Sequence, residues 1–318
     1  MQALDLSVII ANYNGEPWLE DCLKSLHIQA DGLACEVIVV DNASQDKSVD
    51  LLRRSFPWVQ VVVNTENVGF ARANNQGIAL AQGRHILLLN NDTVFQSGLA
   101  EMLAFLDRHP GCGAVGPQML DGLGRPRGSW GYFPTLGRLA ATMLLIDRLP
   151  LIHSRFHPLL VRPSRPEFFH PARPVDWASG ACLLIRRDVL EHVGLLDTHY
   201  FMYGEDVEWC YRVWQAGCQV WVLPTAQFIH YGAGGQEWRN WKGPLATIYT
   251  YKGFFHFFRK HRPVWQRVSL RFTLAVGAGL RLLGGFGLYL CMPTASRERA
   301  RQVIGAYSQV LQLVLRIE

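Results

Sequence analysis

Apolar runs that end in polar clusters dominate the first third of the chain. Ser7-Val8-Ile9-Ile10 leads into Asn12-Tyr13-Asn14, Val37-Ile38-Val39-Val40 into Asp41-Asn42, and Leu87-Leu88-Leu89 into Asn90-Asn91-Asp92. An uninterrupted apolar run of this length reads as a strand buried on both faces, the habit of parallel sheets. The pattern predicts strands near 6–12, 36–41, 59–64, 85–90 and 113–116. Helical periodicity lies between them, near 16–29, 46–55, 69–82 and 97–108. Alternation of this kind implies βαβ units and places all three Asx clusters on one carboxyl edge of a sheet.

From about 119 to 176 the pattern dissolves. Arg125-Pro126-Arg127-Gly128 and the proline-rich run Pro150 to Pro174 read as loop, with one short amphipathic helix at Leu136–Leu149. A stretch this long without strong periodicity points to a lid or acceptor-side loop. Order returns at Trp177 to Ile185, read as turn then strand. A helix follows near 187–193, another opens at Gly204-Glu205-Asp206, and a strand lies near Cys218–Leu223, with Ile229-His230-Tyr231 just beyond.

Phe272–Met292 is apolar, carries Arg281 as its one charge, contains five glycines and is flanked by basic residues on both sides. Its length permits a membrane span, yet the symmetric basic flanks give no orientation. A helix pair lying in or dipping into one leaflet fits better, and a helix docked on the protein's own core is the alternative. Charge sharpens the contrast. Tyr251 to Glu318 holds eleven Lys and Arg against two Glu, a net +9, so the rest of this +5 chain is mildly acidic. Such a tail seeks an anionic surface. It lacks the aromatic–basic interleaving of nucleic-acid modules, so a nucleic-acid partner is not expected. The expected organisation is a body over 1–250, with 119–176 as an insert, and a membrane-associating tail over 251–318. The seven cysteines show no CxxC spacing, which argues against zinc or a disulfide framework and for a reducing cytoplasm. No basic segment and apolar core precede the first strand, so no cleaved signal is expected.

Candidate chemistry sits at the ends of these elements. Asp92 at a strand tip suits Mg2+ or Mn2+, or else an Asx turn. Asp41 can accept hydrogen bonds from a base or ribose and Tyr13 can stack on a base, although turn chemistry and packing explain each alone. Asn67 to Gly77 opens a helix, with Gly69 permitting close backbone approach and Arg72 adding charge, as an anion site requires. Glu205, Asp206 and Glu208 exceed what capping needs, so one carboxylate there can act as general base. Glu208 and Arg212 are spaced for a structural pair. His230 is a packed residue or an additional metal ligand.

The ordered motifs SVIIANYNG, VVDNAS, NVGFARANNQGI, LLLNND, WASGACLLIRR and FMYGEDVEWCYRVWQAG resemble the family-2 inverting glycosyltransferases of GT-A fold. Among them the chain looks most like bacterial rhamnosyltransferases of cell-surface polysaccharide assembly, over roughly residues 6 to 232. The resemblance implies base contacts at Tyr13 and Asp41, and donor contacts at Asn67, Gly69, Arg72 and Asn91. It implies metal ligation at Asp92 and His230, catalysis by Asp206, and an acceptor pocket near Trp177, Ser179, Gly180 and Glu205. The metal motif departs from Asp-x-Asp, because an amide, Asn90, replaces its first carboxylate. The expected reaction is inverting transfer from a nucleotide-diphosphate donor, dTDP-L-rhamnose first and UDP- or GDP-sugars otherwise. The acceptor is a growing or polyprenyl-diphosphate-linked saccharide, at the cytoplasmic face of a membrane. A non-catalytic nucleotide-sugar or glycan-binding protein is the rival from another class, and the intact Asp92, Asp206 and His230 argue against it.

Overall fold

A computed structural model describes residues 4–146, 159–161, 171–232, 244–291 and 294–316. The chain divides into two compact units, Met1–Phe133 with Leu160–Gln236, and Pro134–Leu159 with Glu237–Glu318.

The first unit is built on β1 (Leu6–Asn12), β2 (Cys35–Asp41), β3 (Gln60–Val63), β4 (His85–Asn90), β5 (Thr93–Ser97) and β6 (Cys112–Leu120). It continues through β7 (Pro126–Arg127), β8 (Trp130–Gly131), β9 (Arg173–Val175), β10 (Trp177–Ala178), β11 (Cys182–Arg186) and β12 (Gln219–His230). Helices α1 (Glu16–Gln29), α2 (Ser48–Ser55), α3 (Phe70–Leu80) and α4 (Leu99–Arg108) connect the early strands, as the periodicity predicts. The main sheet runs β3-β2-β1-β4-β11-β6-β12-β5, with β7 and β9 appended to β6 and β12. The neighbours of β1 are parallel to it, and Asn12 lies opposite Asp41 while Ala11 lies opposite Asn90. The three Asx clusters therefore do share one edge.

Two features depart from simple βαβ alternation. First, β11 enters between β4 and β6 antiparallel to both, making the sheet mixed. A buried Cys-Leu-Leu-Ile run looks the same in either direction, so pattern alone does not fix its sense. Reversal carries the amino end of β11, with Ser179 and Gly180, to the edge where β4 finishes; Asn90 N–H donates to Ala181 O at 2.9 Å. Second, β12 extends well past the expected Leu223. Its pairing with β6 slips between Leu223 and Gln227, where Pro224 cannot donate to a ladder, and then resumes. The strand goes on to pair with β5, setting His230 opposite Thr93, two elements the sequence pattern did not reveal as a pair.

Helix α6 (Arg187–Val193) packs on β11, and α7 (Glu205–Gln215) packs on β10 and β12. Glu208 is fully buried and pairs with Arg212 at 3.0 Å, while Arg212 also donates to the carbonyls of Val193 (2.6 Å) and Leu195 (2.7 Å). This network pins the turn leading to α7 and confirms the structural reading of the pair.

The second unit contains α5 (Leu136–Met143), α8 (Pro244–His261), α9 (Val264–Cys291) and α10 (Thr294–Arg316). The expected boundary at residue 250 falls inside α8, so the second unit begins earlier than the sequence reading placed it, and it also takes in α5. Thr135 caps α5 by accepting from Arg138 N–H at 3.2 Å. The helix expected to reach Leu149 ends at Met143, and 147–149 lie outside the described residues, as does most of the proline-rich run. α9 packs on α5, α8 and α10.

Candidate active site

The edge formed by β1, β2 and β4 carries a continuous polar network. Asn12 Nδ2 donates to Asp41 Oδ1 at 2.7 Å and to Ser44 Oγ at 3.2 Å. Asp41 Oδ2 accepts from Ser44 N–H at 2.9 Å, and Asn91 Nδ2 donates to Asn12 Oδ1 at 2.7 Å. Asn12 and Asp41 are fully buried, so their hydrogen bonds are made to protein donors and acceptors and hold the loops rigidly. The adjacent Tyr13 is 51% exposed, a ring presented to solvent from an ordered loop. Gly15 follows in contact with the Asn12 and Asn91 side chains, where a Cβ would collide with both. Sequence reasoning gave no site role to Asn12, Ser44 or Gly15; the Asn-Tyr-Asn-Gly turn was the signal for Asn12 and Gly15, and Asp41-Asn42-Ala43-Ser44 the signal for Ser44.

The start of α3 forms a second wall. Gly69 has φ +85°, and a Cβ there would stand 2.7 Å from Phe201 O. Asn67 Oδ1 accepts from Gly69 N–H at 3.0 Å, and Phe70 N–H donates to Phe201 O at 2.8 Å. Arg72 lies exposed on the first turn. The segment before α7 thus closes onto the start of α3, a long-range contact no local pattern encodes.

Asp92 and His230 lie side by side, with Nε2 3.0 Å from Oδ1, and both side chains are mostly buried. Asn90 Nδ2 lies 3.3 Å from the same imidazole nitrogen, while Asn90 Oδ1 is buried with no hydrogen-bond partner among the described residues. A carboxylate, an imidazole and an unsatisfied amide oxygen make a donor set suited to Mg2+ or Mn2+. Asn90, noted in the sequence only as a lost carboxylate, thereby joins the candidate ligands.

Asp206 sits at the start of α7. Its Oδ2 accepts from Gly180 N–H at 3.0 Å and its Oδ1 from Val207 N–H at 2.8 Å. Gly180 lies between Phe70 and Asp206, with room for a Cβ only at 3.4–3.5 Å from each. Burial raises the Asp206 carboxyl above its ordinary range against the lowering effect of the backbone donors. Glu205 is buried, and its Oε2 has no hydrogen-bond partner among the described residues. Burial, and next the charge on Asp206, push Glu205 up to about 8. Both carboxyls are thus raised, and they titrate as a coupled pair. Ser179 Oγ accepts from Ala181 N–H at 3.3 Å, and Ser179 N–H donates to Ser129 O at 2.7 Å. Trp177 Nε1 donates to Tyr132 O at 3.3 Å, which ties it to the β8–β10 ribbon.

The sequence profile described as Glycosyl transferase family 2 matches residues 7–194. The N-acetylglucosaminyl-diphospho-decaprenol L-rhamnosyltransferase of Mycobacterium tuberculosis is 29% identical over 291 residues, covering 87% of this chain and 91% of its own. The low-salt glycan biosynthesis hexosyltransferase Agl10 of Haloferax volcanii is 28% identical, covering 71% and 67%. Among solved structures, GalNAc-T7 with UDP, GalNAc and Mn2+ has a TM-score of 0.59 at 15% identity; the match covers 99% of this chain and spans 57% of that one. The mannosyltransferase PcManGT from Pyrobaculum calidifontis with GDP-Man and Mn2+ has a TM-score of 0.55 at 18% identity, covering 98% and 87%. The shared architecture is the GT-A fold, a mostly parallel mixed sheet flanked by helices.

Proposed function

The chain belongs to glycosyl transferase family 2, and we propose that it transfers L-rhamnose from dTDP-L-rhamnose, with inversion, to a polyprenyl-diphosphate-linked or growing saccharide. The observation that carries the catalytic part is the Asp206 carboxylate, held by the Gly180 N–H at the sheet edge where β4 ends. The named activity of the mycobacterial relative, similar over most of both chains, supports the sugar and the lipid-linked acceptor.

In this reading Tyr13 stacks on the base, and the rigid Asn12–Asp41–Ser44 loops fix where the base and ribose lie. Asn67, Gly69, Arg72 and Asn91 line the donor, with Arg72 offering charge at the amino end of α3. Asp92 and His230, with Asn90, hold Mg2+ or Mn2+. The bound ion supplies positive charge to offset what develops on the leaving diphosphate. Asp206 takes the proton from the acceptor hydroxyl, while Ser179, Gly180, Trp177 and Glu205 shape the acceptor side. Holding acceptor and base on the face opposite the leaving group removes much of the entropic cost of a single displacement. Synthesis takes place at the cytoplasmic face of a membrane, to which the C-terminal unit binds.

A second reading keeps the chemistry and changes the donor to a UDP- or GDP-sugar, in line with the ligands named for the structural neighbours. A thermal-shift panel of nucleotide sugars with Mn2+ separates them, because a ligand that binds only the folded state raises its melting temperature. The reading predicts the largest shift with dTDP-L-rhamnose. A UDP- or GDP-sugar giving the largest shift, with none from dTDP-L-rhamnose, would remove rhamnose from the proposal.

A further inference from the structure

We infer that α9 lies flat in one leaflet of an anionic bilayer, and that the uncharged face running from Trp265 to Leu290 is its docking surface. Trp265, Val268, Phe272, Leu283, Phe286 and Leu290 are all exposed, Phe272 and Leu283 at 73% each. At 100° per residue they fall within one third of the helix circumference, and they extend about 38 Å along its axis. Leu270, Leu274 and Ala278 occupy the opposite side and are fully buried.

Arg281, the single charge in the apolar run, is turned to that buried side. Its guanidinium donates to Met143 O at 2.6 Å, Gly277 O at 3.1 Å and Thr142 O at 2.9 Å, so it caps the carboxyl end of α5. It also lies 5.3 Å from the centre of the Tyr307 ring. The apparent interruption of the hydrophobic run is thus a packing device, and the outer face is left without charge.

Length alone would let α9 cross a bilayer, since one window of it has a mean hydropathy of 1.4 and is only 22% buried. Its packing partner decides against that. α10 lies against α9 and exposes Glu298, Arg301, Gln302, Gln309 and Gln312. A spanning α9 would draw these side chains into hydrocarbon, where each is costly. Exposed cations also stand at both ends of α9, Arg259 and Lys260 before it and Arg301 beside Tyr289 near its end. Both ends at one anionic surface satisfy that distribution; ends on opposite sides do not. The occupant that fits an apolar stripe between cationic ends is therefore a lipid surface.

The inference takes its biological sense from the lipid-linked acceptor, but its test uses no donor or acceptor, so either can fail while the other stands. The full chain is mixed with phosphatidylglycerol–phosphatidylethanolamine vesicles and recovered by flotation. Phe272→Asp with Leu283→Asp should lower vesicle partitioning by about tenfold or more, with the circular dichroism unchanged. If that pair perturbs folding, Phe272→Ser with Leu283→Ser decides by the same measure. A fluorophore on a cysteine introduced at Val268 or at Leu290 should be reached equally by a quencher added outside the vesicles. Protection of one end only would establish a span and overturn the proposal. Unchanged vesicle binding together with a halved mass in light scattering would assign the face to a second copy, and overturn it equally.

Discussion

Replacing Glu205 with Gln tests whether a neutral carboxyl underlies Asp206. Burial first, and the neighbouring Asp206 charge second, lift Glu205 from its ordinary 4.5 to about 8. The native state therefore binds this proton more tightly than the unfolded chain does. Its contribution to stability is complete below pH 4.5 and is lost as pH rises through about 8. At about 1.4 kcal/mol per unit, the full swing is on the order of 5 kcal/mol at most. Glutamine keeps the shape and cannot ionise, so the variant loses that slope. It leaves an amide where Oε2 now has no partner, at a roughly constant cost of about 1–3 kcal/mol. The curves should cross: Glu205→Gln is the less stable protein near pH 5 and the more stable near pH 9. Urea midpoints collected across that range give the difference curve directly, and titrating groups not coupled to Glu205 cancel in it. Parallel curves for the two proteins would refute the assignment of the neutral proton to Glu205.

Asp92→Ala should weaken Mn2+ and donor binding together, with His230→Ala a milder case, both read by calorimetry; a donor affinity indifferent to Asp92 would remove the ion from donor recognition. Gly15→Ala forces a Cβ into the Asn12 and Asn91 side chains, so it should lower donor affinity and cost about 1–3 kcal/mol in unfolding free energy. Gly69→Ala sets a Cβ 2.7 Å from Phe201 O at φ +85°, and should raise the KM for donor more than it lowers the melting temperature, as steady-state kinetics beside calorimetry will show.

The parts of this fold legible in sequence are those where burial writes a pattern. β1, β2 and β4 are apolar because both faces are covered, and a strand that must then expose a loop ends in Asx residues. The Glu208–Arg212 pair was legible because helical spacing makes it local. The antiparallel sense of β11 was not, since direction leaves no trace in a buried run. Nor was β5, whose five residues Thr93–Ser97 are too short to show a period. The closure of Phe201 on Gly69 and the approach of Asn90 to His230 join residues more than 120 positions apart, and only the assembled sheet brings them together. Arg281 shows the reverse hazard: a charge that reads as an interruption serves an inward contact.

The central claim is that Asp206 is the base in transfer of a sugar from a nucleotide-diphosphate donor. The most direct measurement compares wild type and Asp206→Asn for donor binding by calorimetry and for turnover by release of nucleoside diphosphate coupled to acceptor product. A general base contributes about 10²–10⁴ in rate, so kcat should fall by that factor while donor affinity stays within about twofold. In the wild type, turnover should decline as pH falls through a carboxyl pKa raised above the ordinary 3.8, because only the ionised form accepts the proton. Turnover of Asp206→Asn close to wild type, with the same pH profile, would contradict the account.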